Sequence, residues 1–113
     1  MSNHKKYIDA MKTYYVYMLS DKSRKVLYTG FCNDLNRRLQ EHIGQKGSPF
    51  TFAGRYHCTI LLYYEVFHEV SQAIAREKQI KRWRRSKKEF LINKMNPKWK
   101  DLKDGLLGNL MNG

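Results

Sequence analysis

Acid, cysteine and proline are all scarce in this chain. Its 113 residues include two cysteines, two prolines, and 10 Asp and Glu against 22 Lys and Arg. Cys32 and Cys58 form no C-x-x-C pair and are too few for the disulfide framework that holds small secreted domains together. They are expected as buried, reduced thiols. His57 beside Cys58, with His42 not far away, leaves a zinc site open, but without the spacing of a metal finger. Apolar runs such as Ile60–Tyr64 stop after a few residues, far short of the roughly 20 that cross a bilayer. No membrane span is expected. The first dozen residues carry His4, Lys5, Lys6, Asp9 and Lys12 and lack the apolar stretch of an export signal, so the expected location is the cytoplasm.

Positive charge is what the chain has in surplus. A formal net charge of +12 and a pI near 9.9 create a field that favours nucleic acid or an anionic membrane surface. The length predicts one domain, and no internal repeat suggests otherwise.

The chain divides into a polar leader over 1–13, a folded domain over 14–102 and a glycine-bearing tail over 103–113. In the tail, Leu106, Leu107, Leu110 and Met111 could form a short apolar turn. Tyr14–Leu19 and Val26–Cys32 are rich in β-formers, and the polar stretch Ser20–Lys25 between them carries turn chemistry. Pairing about that turn sets Tyr17 opposite Tyr28, on one face of the hairpin. Asn33 or Asp34 can cap the next helix, in which Leu35, Arg38, Leu39 and His42 share a face and which Gly44 ends. Gly44–Cys58 reads as an irregular connection. Its Phe50, Phe52, Lys46 and Arg55 suit either base stacking with phosphate contact or cover for the edge of the core. Thr59–Phe67, nearly all apolar, reads as a third and central strand. Two helices follow, Val70 to about Arg85 and Ser86–Met95, the second stopped by Asn96-Pro97. Trp99 is expected to dock back on the body.

Several side chains stand out chemically. Glu77 falls within the apolar stripe Val70, Ala73, Ile74, Ile80, where a carboxylate needs a partner. It suits a hard divalent cation, or an ion pair with Lys81 or Arg38. Arg38, at the core edge of its helix, has the group best suited to gripping phosphate, although snorkelling over leucines is the commoner use. His42, one turn on, could orient Arg38, relay a proton, contact phosphate or serve structure alone. Tyr17 and Tyr28 carry phenols that ionise near pH ~10 and become usable bases only beside a cation; packing as core aromatics is their ordinary role. Arg76–Lys88 holds eight cations and one acid in thirteen residues, an imbalance that favours the phosphate backbone. Trp83 within it is read as core.

Taken together, these residues resemble the GIY-YIG endonuclease family, in particular its small stand-alone bacterial members. Tyr15-Val16-Tyr17 stands at the first motif and Tyr28-Thr29-Gly30 at the second, followed in order by Arg38, His42 and Glu77. The similarity runs from about Tyr14 to Leu102. It implies an α+β fold, a three-stranded antiparallel sheet flanked by helices, and hydrolysis of DNA phosphodiesters. By the same resemblance Tyr17 is the base for the attacking water and Tyr28 its network partner. Gly30 gives close backbone packing, Arg38 holds the scissile phosphate, and Glu77 is the carboxylate for one Mg²⁺ or Mn²⁺. Tyr15 and Thr29 depart from the motif glycine and isoleucine, and Phe31 stands where several family nucleases have a lysine.

The resulting expectation is a monomeric, metal-dependent endonuclease without a small-molecule cofactor, selecting DNA by structure rather than sequence, in repair or recombination. Catalysis falls to Tyr17, Tyr28, Arg38, His42 and Glu77, and nucleic-acid contact to Gly30, Lys46, Arg55, Lys81, Arg84, Arg85, Lys87 and Lys88. The alternative is a module of the same fold that binds DNA or structured RNA without cutting it.

Overall fold

Asp21 closes the first hairpin. Its carboxylate accepts from the backbone N–H groups of Lys25 and Val26, each at 2.9 Å, and from the Ser23 hydroxyl, so the six-residue turn is organised by one side chain. Arg24 completes it with a positive φ of 64°. The strands on either side are β1 (Tyr14–Ser20) and β2 (Leu27–Cys32). Their register pairs Tyr17 with Gly30 and Leu19 with Tyr28, two residues away from the expected Tyr17–Tyr28 opposition. A slip of two preserves which face each side chain occupies, so both tyrosines still share one face.

The computed structural model describes residues 12–106. Residues 1–11 of the expected leader and 107–113 of the expected tail, including Leu107, Leu110 and Met111, lie outside them. After β2 come α1 (Leu35–Gly44), a short α2 (Phe52–Arg55), β3 (Ile60–Phe67), α3 (Val70–Lys81) and α4 (Arg85–Met95). Asp34 caps α1, its side chain accepting from Arg37 N at 3.1 Å. The fold is α+β with a three-stranded antiparallel sheet in the order β2-β1-β3.

The central strand is therefore β1, where Val16–Ser20 are all buried, and the expectation of a central β3 is corrected. Apolarity on both sides of β3 arises because both sheet faces are covered, not because strands flank it. A register shift opposite Met18 and Leu19 leaves Leu62 and Tyr63 packed on one face, with Leu61 on the other. Beyond β3 the chain itself covers the edge: Leu102 N donates to Leu61 O at 2.8 Å, and Asp101 Oδ1 accepts from Leu61 N at 3.1 Å. Buried Asn96 fastens this return, donating to Leu62 O and Lys100 O and accepting from Lys100 N.

The two faces carry separate cores. Tyr17, Leu19 and Cys32 pack with Leu35 and Leu39 of α1, Ala53 of α2, and Cys58 and Leu61. Val16 and Met18 pack on the other face with Leu62, Tyr63, Ala73 and Ile80 of α3 and Ile92 of α4, edged by Trp83 and Trp99. Each fully buried leucine or isoleucine contributes about 1.5–3 kcal/mol. The third-helix stripe is narrower than its sequence suggests, because Val70 and Ile74 are largely exposed. The helix also ends earlier than expected, at Lys81 rather than Arg85, where Arg84 turns extended to cap α4. Both cysteines are free, buried thiols.

Candidate active site

Gly30 makes room for Tyr17. A Cβ at this position would lie 2.4 Å from the Tyr17 Cζ and Oη atoms, so only glycine lets the phenol lie flat over β2. Gly30 is buried beneath that ring, and its predicted contact with nucleic acid is replaced by this packing role. From there the Tyr17 hydroxyl meets His42 Nε2 of α1 at 2.9 Å, a buried hydrogen bond across 25 residues of sequence. Tyr28 completes an aromatic triangle, its ring 6.3 Å from Tyr17 and 5.5 Å from His42.

Beside this triangle lies a part-open hollow of about 240 Å³. Its walls are Tyr28, Arg38, Glu41, His42, Gln45, Thr51, Phe52 and Ala53. Tyr17, with no exposed surface, stands behind His42. Arg38 Nε lies 3.0 Å from Glu41 Oε1, one helical step away, yet the pair is not aligned as a hydrogen bond and Nε has no acceptor. His42 Nδ1 and Asn36 Oδ1 are likewise buried without a partner. Thr29 Oγ1 on β2 is a further such atom; of the four, Arg38 Nε and His42 Nδ1 belong to side chains that line the hollow. Glu41, Gln45 and Thr51 were not singled out from sequence; for Glu41 the available signal was its i,i+3 spacing from Arg38.

Burial fixes the protonation states. It pushes the Tyr17 phenol far above its ordinary range; the Tyr28 phenol adds to the effect, and the Arg38 charge opposes it without prevailing. Desolvation outweighs the nearby Arg38 cation, so burial favours the neutral phenol at Tyr17. Burial also lowers the His42 pKa, Arg38 lowers it further and Glu41 partly compensates. A neutral imidazole bonded to a neutral phenol results, able to take up one proton.

An arginine, a histidine and two tyrosines meet on this sheet face, at four of the positions the sequence motifs singled out; Glu77, expected with them, stands apart on α3. Residues 13–95 match the GIY-YIG catalytic domain. The chain belongs to the GIY-YIG family. It is 38% identical over 82 residues to a UPF0213 protein of Bacillus pumilus, covering 73% of this chain and 79% of that one. It is 40% identical over 80 residues to a UPF0213 protein of Haloquadratum walsbyi, covering 69% and 84%. The solution structure of a UPF0213 protein of Bacillus halodurans superposes with a TM-score of 0.50 at 30% identity, over 79% of this chain and 92% of that one. GIY-YIG domains are nuclease domains acting on DNA and generally depend on a divalent metal.

The GIY-YIG metal must be tested against this chain's donors. Among the described residues no three His, Cys, Asp or Glu side chains converge, so a site would rest on a lone carboxylate and water. Glu77 meets that description. It sits on α3 between buried Ala73 and Ile80, its side chain 20% exposed, with Lys81 Nζ 3.4 Å from Oε1 as its ion-pair partner. One carboxylate oxygen with displaceable company suits a hard cation that keeps most of its own water. Glu77 does not line the hollow, however; α3 packs its Ala73 and Ile80 on the sheet face opposite the one that carries Tyr17 and Tyr28.

The predicted GIY-YIG contact residues fall into two groups. Lys46 and Arg55 are exposed on the α1–β3 connection beside the hollow, Arg55 donating to Pro49 O at 3.1 Å. Lys81, Arg84, Arg85, Lys87 and Lys88 crowd the α3–α4 junction. Arg85 is committed to structure, donating to Arg24 O at 2.8 Å, to Lys25 O and to Glu89 Oε2 at 2.9 Å. Lys87 stands 4.5 Å from the centre of the Trp83 ring. Burial, and then the charges of Arg85 and Lys81, hold the Lys88 ammonium below the usual lysine range. Phe31, where the family resemblance leads one to expect a lysine, points to the opposite sheet face and stacks on Tyr14 at 6.1 Å. A lysine there would therefore not start from the Tyr17 side of the sheet.

Proposed function

We propose that this chain is a metal-dependent endonuclease that hydrolyses DNA phosphodiesters and selects its substrate by structure rather than sequence, in repair or recombination. The observation that carries the reading is the 2.9 Å contact between Tyr17 and His42, set beside an arginine whose Nε has no acceptor. Arg38 grips the scissile phosphate and offsets the extra negative charge of the transition state. The phenol–imidazole pair takes the proton of the attacking water. His42, which lines the hollow, receives that proton at Nδ1 while its Nε2–H donates to the oxygen of the buried, neutral Tyr17, so no free phenolate forms. Tyr28 holds the imidazole edge. Glu77 would hold Mg²⁺ or Mn²⁺, which when bound supplies Lewis-acid charge. Selection by structure is supported by the contact groups: Arg38, Lys46 and Arg55 present charge to the phosphate backbone, which is the same at every sequence.

Purified protein incubated with Mg²⁺ or Mn²⁺ should cut at least one of single-stranded, flapped or branched DNA. Glu77→Ala should abolish that cleavage, and Tyr17→Phe should lower it by about 10²–10⁴-fold, while DNA binding and the far-UV spectrum stay unchanged. A Tyr17→Phe variant as active as wild type would remove the relay. Absence of cleavage on every DNA tested would remove the enzyme. A second reading, a binding module of the same fold acting on DNA or structured RNA, gains support from the complete burial of Tyr17 and the seat of Glu41 on Arg38. It requires salt-sensitive binding that survives loss of Tyr17 or Glu77.

A further inference from the structure

Three aromatic rings lead out of the hollow. Tyr28 and Phe52 both line it, and they stack at 6.1 Å with planes 23° apart. Phe52 then meets Tyr56 at 4.7 Å. Phe52 is 51% exposed, Tyr56 43%, and Phe50 two residues earlier 92%. Sequence left open whether Phe50 and Phe52 cover the edge of the core or stack on bases; with Tyr56, which sequence did not single out, they stand outside both core clusters.

The segment that holds them is tightly built. Gly47 N donates to Gly54 O and Ser48 N to Gln45 O, each at 2.8 Å, while Thr51 Oγ1 accepts from Gly54 N at 2.9 Å. Gly47 has φ +87°, and a Cβ on Gly54 would lie 2.6 Å from Gln45 O, so both glycines are required by this geometry. Cys58 N closes the segment onto Ala53 O at 2.8 Å. An aromatic surface held this firmly costs little ordering when a ligand lands on it.

From this we infer that Phe52 and Tyr56 form a nucleobase subsite, which seats an unpaired base of the DNA strand whose phosphate lies at Arg38. The inference rests on the phosphate reading of the hollow. Three features select the occupant. The platform is continuous with the hollow through Tyr28 and Phe52. Lys46 and Arg55 place positive charge on the same segment, which suits a polyanion and not an apolar peptide. An exposed ring offers a stacking face, and only an unpaired base has a free face to meet it, since paired bases are already covered above and below.

The test measures binding without divalent metal, so cleavage plays no part in it. The full chain is titrated into a single-stranded DNA carrying 2-aminopurine and, separately, into a fully paired duplex of the same length. Wild type should quench the 2-aminopurine signal on the single strand. Phe52→Leu should weaken single-strand binding on the order of ten- to a hundredfold and remove the quench, with duplex affinity changing less than twofold. Phe52→Trp should restore both single-strand readouts, and Tyr56→Leu should repeat the loss if Phe52→Leu proves poorly folded. Equal loss on single strand and duplex, or no loss on either, overturns the subsite and gives the rings to another occupant. Selective loss in a protein that cuts no DNA would keep the subsite and remove the nuclease; cleavage with unselective binding would do the reverse.

Discussion

Gly30 and His42 are the residues on which the site turns. Gly30→Ala introduces a methyl group into space held by the Tyr17 ring. The ring must move, and the hydrogen bond to His42 moves with it. A loss of roughly 1–3 kcal/mol in chemical denaturation is expected, together with at least the loss of activity expected of Tyr17→Phe. An alanine variant with wild-type stability would show that the ring has another place to go. His42 makes a pH prediction. Its folded pKa lies below the ordinary 6.5, so between those two values the unfolded chain binds more protons than the folded one. Stability is therefore fully present above about pH 6.5 and is lost as pH falls from there through the folded pKa. The rate should behave in parallel, its acid limb centred below 6.5, because the relay needs a neutral imidazole. A His42→Gln variant should lack that component of the stability curve, and an acid limb centred above 6.5 would contradict the buried, neutral assignment.

At the scale of elements, Asp21 is the most informative. Asp21→Ala removes the acceptor for two turn amides and should cost about 1 kcal/mol of stability, while Asp21→Asn keeps an acceptor and should cost less. Burial raises this carboxyl slightly, but the bonds from Ser23, Val26 and Lys25 hold its pKa below 3.8. Its contribution is thus present above that value and fades as pH drops through the folded pKa. The same turn explains what the sequence made legible. Pairing the strands about Ser20–Lys25 was enough to put Tyr17 and Tyr28 on one face, since face depends only on parity. It did not reveal which residues oppose, because register depends on how Asp21 folds the turn. The cap at Asp34 and the helix over Leu35–Gly44 were readable from local chemistry alone. The rank of β3 was not, because an apolar strand looks the same whether other strands flank it or helices and a returning chain cover it. Arg38, His42 and the two tyrosines were legible as a set through their ordered spacing. Glu41 was hidden by being an ordinary surface acid on a helix, and the break at Arg82–Arg84 by a run of residues that all favour helix.

For the whole molecule, the +12 net charge sets the response to salt. Arg85 is occupied in holding the first turn against α4, so the backbone contacts of the junction fall to its neighbours. Neutralising Arg84, Lys87 and Lys88 together should weaken binding to single-stranded DNA of any sequence. It should also flatten the plot of log affinity against log salt by about 2, at roughly 0.7 per lost contact. Neutralising Arg85 should instead lower thermal stability, and an unchanged salt slope in the triple variant would place the contacts elsewhere. The return of the chain along β3 carries a separate consequence. The match to the catalytic domain covers residues 13–95, whereas Asn96, Asp101 and Leu102 beyond it bond to the outer strand. A transplant cut at the boundary of similarity would carry the reaction centre and leave one flank of its platform bare.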